Sequence, residues 1–178
     1  MQIDDIISTN RLTLRNLTKS DAGGNYHVWM RDPKILRFLE ARYCEFDESK
    51  LEKYISDMNH SESDLLLGIF LKAINEHIGN IKLGEINFHH CRGNVGVIIG
   101  LRSRWRHGYA TEAIEAICDF AGKKLNLHCV YARCHANNPG SCMAFQNTGV
   151  SLEGKLVHHD FVDGEWVDGI IYGRVFSK

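Results

Sequence analysis

A run of β-branched residues, a cluster of bases and an amphipathic helix follow one another between residues 95 and 125, and few folds accommodate that order. Val95, Val97, Ile98 and Ile99, interspersed with Gly96 and ended by Gly100, read as a buried strand. The chain then turns through Arg102, Arg104, Trp105, Arg106, His107 and Gly108. Beyond the turn, Ala110, Ala113, Ile114, Ile117, Cys118 and Ala121 recur at the spacing of one helical face, while Thr111, Glu112, Glu115 and Asp119 hold the other. A helix beginning there aims free backbone N–H groups, worth about half a positive charge, at whatever lies above Gly108. With the surrounding arginines and histidine, that end is expected to cradle a pyrophosphate.

Gly108 and the small Ala110 leave the amides bare, as close approach of a phosphate requires. Neither G-x-x-x-x-G-K-[ST] nor a G-x-G-x-x-G following an N-terminal strand occurs, which argues against a P-loop or Rossmann site. On these residues alone, a solvated basic loop capping a core helix explains the pattern equally well.

With 178 residues, 44% hydrophobic and 24% charged, the chain is expected to form a single domain over residues 1–178. A net charge of −1 argues against a general nucleic-acid binder. Asp4 and Asp5 interrupt the start of the chain, so it does not read as a signal peptide, and no run approaches the ~18 apolar residues of a membrane span. A cytoplasmic protein, a monomer or a homodimer with no nucleic-acid or membrane partner, is the expectation. Six cysteines without a C-x-x-C pair read as free thiols. His89-His90 and His158-His159 tempt a metal reading, but neighbours on a strand face opposite ways, so no metal is expected.

Along the rest of the chain, Leu12 and Leu14 alternate with polar residues as in a half-buried strand over 11–16. Thr18 or Ser20 can cap a helix running to Met30, weakened by Gly23-Gly24 and stopped by Asp32-Pro33. Asp47 caps a second helix over 50–58. Strands over 65–72, 77–87 and 93–100 make an antiparallel meander, and 128–135 is a further strand. A short helix over 141–147 precedes a closing antiparallel pair, 152–157 and 167–176, that turns at Asp163-Gly164. The predicted class is α+β, a mainly antiparallel central sheet flanked by helices.

Trp105-Arg106-His107-Gly108-Tyr109-Ala110-Thr111-Glu112-Ala113 resembles the acetyl-CoA loop of the GNAT N-acetyltransferase superfamily. The likeness is strongest to its RimJ/RimL branch of ribosomal-protein N-terminal acetyltransferases, where W-G-K-G-Y-A-T-E-A is typical. Asn138-Pro139-Gly140-Ser141 with Phe145 and Gly149 is similar to that branch's N-x-x-S segment. Arg11-Leu12-Thr13-Leu14-Arg15 resembles its opening strand, and Glu153-Gly154, Asp163-Gly164 and Asp168 its closing pattern. Arg106 and His107 depart from the usual Gly-Lys, and Val150 from the usual Phe.

The resemblance implies a GNAT fold and transfer of acetyl from acetyl-CoA to a primary amine, by direct attack in a ternary complex. The amine would be a protein N-terminus or a small amine such as an amino sugar. By the same resemblance, main-chain groups of Ile98, Ile99 and Gly100 would pair with the pantetheine arm, and the loop Arg104, Trp105, Arg106, His107, Gly108, Tyr109, Ala110 and Thr111 would hold the phosphates. Asn138 and Ser141 would take the cofactor's other side, unless they serve as plain helix caps. Many family members place Tyr where this chain has Phe145, so Ser141 or Cys142 stands in as proton donor to the thiolate. Glu85, alternating with Ile81 and Leu83, is the candidate base, because desolvation would raise a carboxylate there toward a useful range. Arg31, Arg37 and Arg42, close to Trp29, Phe38 and Tyr43, favour a neutral or anionic acceptor over a polyamine. A CoA-binding sensor without transfer chemistry is the competing class, supported by the missing tyrosine. A third class is an RNA-binding accessory protein using the Arg102–Arg106 cluster.

Overall fold

The computed structural model describes residues 1–176. Its layering follows from one strand, β3 (Leu65–Leu71), which is buried along its whole length and so must be covered on both faces. Leu65, Leu67, Ile69 and Leu71 point to one core, with Leu12, Leu14, Ile81 and Leu83. Leu66 and Phe70 point to the other, with Trp29, Leu51 and Ile55. Around it lie β1 (Ile7–Ser8), β2 (Leu12–Asn16), β4 (Glu76–Asn87), β5 (Arg92–Ile99), β6 (Cys129–His135), β7 (Ser151–Val162) and β8 (Glu165–Val175). Among the described residues these eight strands form one sheet in the order β1-β2-β3-β4-β5-β6-β8-β7. Neighbours are antiparallel except β5 and β6.

Helix α4 (Tyr109–Lys123) covers the first face through Ala113, Ile114, Ile117, Cys118 and Ala121, the stripe expected from its periodicity. Ile114 and Ile117 are fully buried, worth about 2–3 kcal/mol each in removed apolar surface. Helix α5 (Pro139–Gln146) joins the same layer through Ala144 and Phe145. The second face is covered by α1 (Gly24–Trp29), α2 (Pro33–Leu36) and α3 (Glu48–His60). Asp47 caps α3 by accepting from the Lys50 N–H at 2.8 Å.

Several boundaries differ from the sequence expectation, each for a local reason. The helix expected from residue 18 or 20 to Met30 is split into a single turn, Lys19–Asp21, and the six-residue α1, because Gly24 takes φ +58°. The closing hairpin is longer than expected, since the pairing between β7 and β8 continues to Val162 opposite Glu165. Its turn uses positive φ at both Asp163 and Gly164, the geometry that suits two-residue hairpins. The two-residue strand β1 is too short to show a sequence period and was not expected. Among the described residues no helix is long and apolar enough to cross a membrane. The six cysteines carry free thiols.

Candidate active site

The parallel pair β5–β6 is joined only at Arg92–Cys129, Gly93–Val130 and Asn94–Tyr131, and beyond that point the strands part. A gap therefore opens within the sheet, with the end of β5 on one side, β6 on the other and the start of α4 at its mouth. Alternation decides which backbone groups face it. The Gly100 N–H donates to Ile78 O of β4 at 2.8 Å, and the Ile98 carbonyl lies against Gly79 of the same strand. Ile98 and Gly100 thus spend their main chain on β4, which corrects the expectation that they pair across the gap. Val97 and Ile99 alternate to the open side. Val97 was missed because spacing alone does not tell which side of a strand its neighbour occupies.

The loop closes on this strand end. Trp105 Nε1 donates to Ile99 O at 2.7 Å, tying the loop to β5. Arg106 and Gly108 both take positive φ, +63° and +77°, and Gly108 is the residue that caps α4. The α4 amides are therefore presented over a position without a side chain, and Ala110 adds little bulk. Arg106 and His107 are exposed beside it. The His107 ring stacks on Tyr109 with centroids 5.8 Å apart. Arg104 and Arg102 contribute less than their sequence position implied. Arg104 is bound to Glu76 at 2.7 Å and Arg102 lies 3.5 Å from Asp32, so their charge is largely spent on neighbouring carboxylates. A further cation beside Gly108 is Arg11 of the loop before β2, and it too is occupied by a carboxylate. Its guanidinium donates to the His107 carbonyl at 2.9 Å, pairs with Glu112 at 2.7 Å and covers the Tyr109 ring at 4.5 Å. Burial raises the Glu112 carboxyl, but hydrogen bonds from Thr9 and Arg11 outweigh this and hold it below its ordinary value.

On the α5 side, Asn138 accepts from the Ser141 N–H at 3.2 Å, which is a helix cap. Thr111 Oγ1 donates to Ala144 O at 3.4 Å and links α4 to α5. Cys142 packs its sulfur 3.2 Å from that of Cys134 on β6 and 3.7 Å from the His135 carbonyl. Burial pushes the Cys134 thiol up. Phe145 is buried and stacks on Tyr172 of β8, whose hydroxyl accepts from Gln146 at 3.0 Å.

Glu85 is not where the alternation of β4 placed it. The pairing of β4 with β5 shifts between Gly84 and Asn87, and Glu85 takes φ +52° at that irregularity. The extra residue turns its side chain from the face of Ile81 and Leu83 to solvent, and its carboxylate accepts the Tyr131 hydroxyl at 2.6 Å. It sits at the closed end of the gap, beside the last β5–β6 pair. That bond is the leading cause that raises the Tyr131 phenol.

Opposite α4 and α5 lies the second face of the sheet, with the aromatic and arginine residues expected to meet an acceptor. Gly96 leaves open space there, and a Cβ on Gly100 would collide with the Trp29 indole. Phe38 packs edge-on against the His135 ring at 5.9 Å. Arg37 and Arg42 both bind Asp163 at the β7–β8 turn, at 3.0 and 3.2 Å. Two of the three arginines taken to favour an anionic acceptor thus share one carboxylate, which offsets one of their two charges and weakens that argument without removing it.

A mainly antiparallel sheet with one splayed parallel pair, and a helix aimed through a glycine at the splay, defines an acyl-CoA N-acyltransferase fold. Residues 11–151 match the model of the acetyltransferase (GNAT) domain, and the chain belongs to that family of acetyl-CoA-dependent N-acetyltransferases. Among similar proteins, the spermidine N(1)-acetyltransferase of Vibrio cholerae is 27% identical over 159 residues, 89% of this chain and 90% of that one. A crystal structure of spermidine N-acetyltransferase from Vibrio cholerae with CoA and spermine covers 94% of this chain and 96% of its own, at TM-score 0.82 and 24% identity. RimL, a ribosomal-protein alpha-N-acetyltransferase solved with coenzyme A, covers 97% and 98%, at TM-score 0.85 and 17% identity. The likeness extends across the superfamily and does not single out the RimJ/RimL branch.

Proposed function

We propose that the protein transfers the acetyl group of acetyl-CoA directly to a primary amine, with both substrates bound at once on opposite sides of the β5–β6 gap. The observation that carries this reading is the gap itself, lined on one side by the main chain of Val97 and Ile99 and approached by the bare end of α4. The amides of α4, with Arg106 and His107 beside Gly108, hold the pyrophosphate. Acetyl-CoA supplies an activated thioester. We assign an N–H of Val97 or Ile99 to polarise its carbonyl, and holding the amine in line supplies most of the acceleration. Ser141, half-buried in the first turn of α5, is the hydroxyl we assign to protonate the leaving thiolate.

The acceptor is a small amine or a peptide N-terminus. The names of the spermidine N-acetyltransferases and of RimL support one class each. The deciding experiment measures CoA thiol release against polyamines, nucleotide-linked amino sugars, aminoglycosides and N-terminal peptides. Turnover with one class and not the others is expected. A protein that binds CoA yet releases no thiol with any of them is a sensor, and the transfer reading fails.

A further inference from the structure

Two of the buried side-chain atoms without a partner among the described residues belong to adjoining residues on the acceptor face. One is Nδ1 of His135, at the end of β6, and the other is Oδ2 of Asp160, on β7. His135 Nε2 stands 3.8 Å from Asp160 Oδ2, and the two side chains are only 13% and 12% exposed. The other carboxylate oxygen, Oδ1, is already held by Arg133 Nη2 at 3.3 Å. An unsatisfied buried polar atom costs about 1–3 kcal/mol, so an orphaned carboxylate oxygen facing an imidazole nitrogen indicates a place completed by something that brings N–H groups.

Position says what that is. Cys134 faces the α5 layer, so Arg133 and His135 on either side of it face the opposite way, toward Phe38 and the acceptor. The groups around the imidazole are the Asp160 carboxylate from β7, Arg133 on β6 and, over the Phe38 ring at 5.0 Å, the Arg37 guanidinium. Asp168 on β8 is engaged elsewhere, with Lys155 at 2.6 Å and the His158 N–H at 2.8 Å. Nδ1 is enclosed, whereas Nε2 keeps some surface beside the carboxylate, so Nε2 is the lone pair that an incoming amine can meet.

We propose that His135 and Asp160 form the amine subsite, His135 as the general base and Asp160 as the residue that orients it and meets the incoming ammonium. This rests on the transfer reading above. A proton passes from the ammonium nitrogen to His135 Nε2, the nitrogen that faces Asp160, leaving a neutral amine and an imidazolium stabilised by Asp160. The amine nitrogen then attacks the acetyl carbonyl, the C–N bond forms and the C–S bond breaks. The second amine proton ends on the CoA sulfur, and the imidazolium returns its proton to solvent.

The test is a pH profile of kcat/KM, with a turned-over amine, for the wild type, His135→Gln and Asp160→Asn, alongside CoA affinity by calorimetry. His135→Gln is expected to lose about 10²-fold in kcat/KM at neutral pH and to regain most of it in alkali, where the amine deprotonates unaided. Asp160→Asn is expected to raise KM for the amine more than it lowers kcat. CoA affinity should match the wild type in both, which shows that the fold is retained. A folded His135→Gln protein with the wild-type rate and profile overturns the subsite while leaving acetyl transfer intact. An equal loss at every pH reduces His135 to packing and also overturns it. A wild type that acetylates no amine removes the transfer reading and this subsite together.

Discussion

Gly108 concentrates the cofactor-binding argument in one residue. Its φ of +77° is the left-handed region, where any side chain adds about 1 kcal/mol of strain, and the Arg11 guanidinium lies 3.5 Å from where a Cβ would stand. Gly108→Glu places a carboxylate over the α4 amides and draws Arg11 from Glu112. Calorimetry should show CoA affinity reduced at least about tenfold, equivalent to ~1.4 kcal/mol, in a protein with native circular dichroism. His77 makes a separate prediction about stability. It stacks on Phe70 at 4.4 Å and its Nε2 meets Asn80 Oδ1 at 2.8 Å. Burial lowers its pKa below the ordinary 6.5, so the neutral ring is favoured in the folded state. The unfolded chain then binds the extra proton, and stability present above pH 6.5 is lost as pH falls through that value toward the folded pKa. Denaturant titrations should show this slope in the wild type, and His77→Gln should flatten it.

At the scale of elements, α5 separates a structural role from a binding one. Asn138 caps it through Ser141, and Pro139 occupies the first helical position, where no N–H is required. Asn138→Ala should cost about 1 kcal/mol of stability. In a chain of this length that lowers the melting temperature by about 2–4 °C. If KM for acetyl-CoA rises several-fold with no change in melting temperature, Asn138 serves the cofactor and the cap is incidental. The irregularity in β4 is a second lesson at this scale. A strand carrying an unpaired residue no longer follows its own alternation, so Glu85 joins Tyr131 in solvent instead of Ile81 and Leu83 in the core.

Across the whole molecule, the proposed acceptor side is assembled from segments far apart in the chain. Arg37 and Arg42, after α2, grip Asp163 at the tip of the β7–β8 hairpin, 126 residues away from Arg37. Arg37 and Asp163 are about half exposed, so their pairing is worth at most about 1 kcal/mol to stability. Its consequence is positional, because Phe38 lies between the two arginines and packs on His135. Asp163→Asn keeps a residue that tolerates the turn's positive φ of 54° while removing the charge. Steady-state kinetics should show a higher KM for the amine, unchanged CoA affinity and a melting temperature within a few degrees of wild type. Raising the salt should mimic the substitution in the wild type and do little in the variant.

Local chemistry was enough to specify the strand over 93–100, the glycine-capped helix after it, the capped α3 and the Asp163-Gly164 turn. In each, the deciding forces act within a few residues: hydrophobic periodicity, a side chain closing on a nearby N–H, or a backbone angle that glycine tolerates. The order of motifs along the chain, set beside the family it resembles, was enough for the fold and the cofactor. What pairs with what was not legible. That Val97 and not Ile98 faces the gap depends on which strand lies on each side of β5. That Arg104 and Arg102 are occupied depends on Glu76 and Asp32 arriving from elsewhere. Arg11 beside His107 and His135 beside Asp160 carry no local signature, because each acquires its surroundings from residues 25 or more positions away. Only the tertiary structure supplies those neighbours, and for a charged or polar side chain the neighbours determine what it can bind.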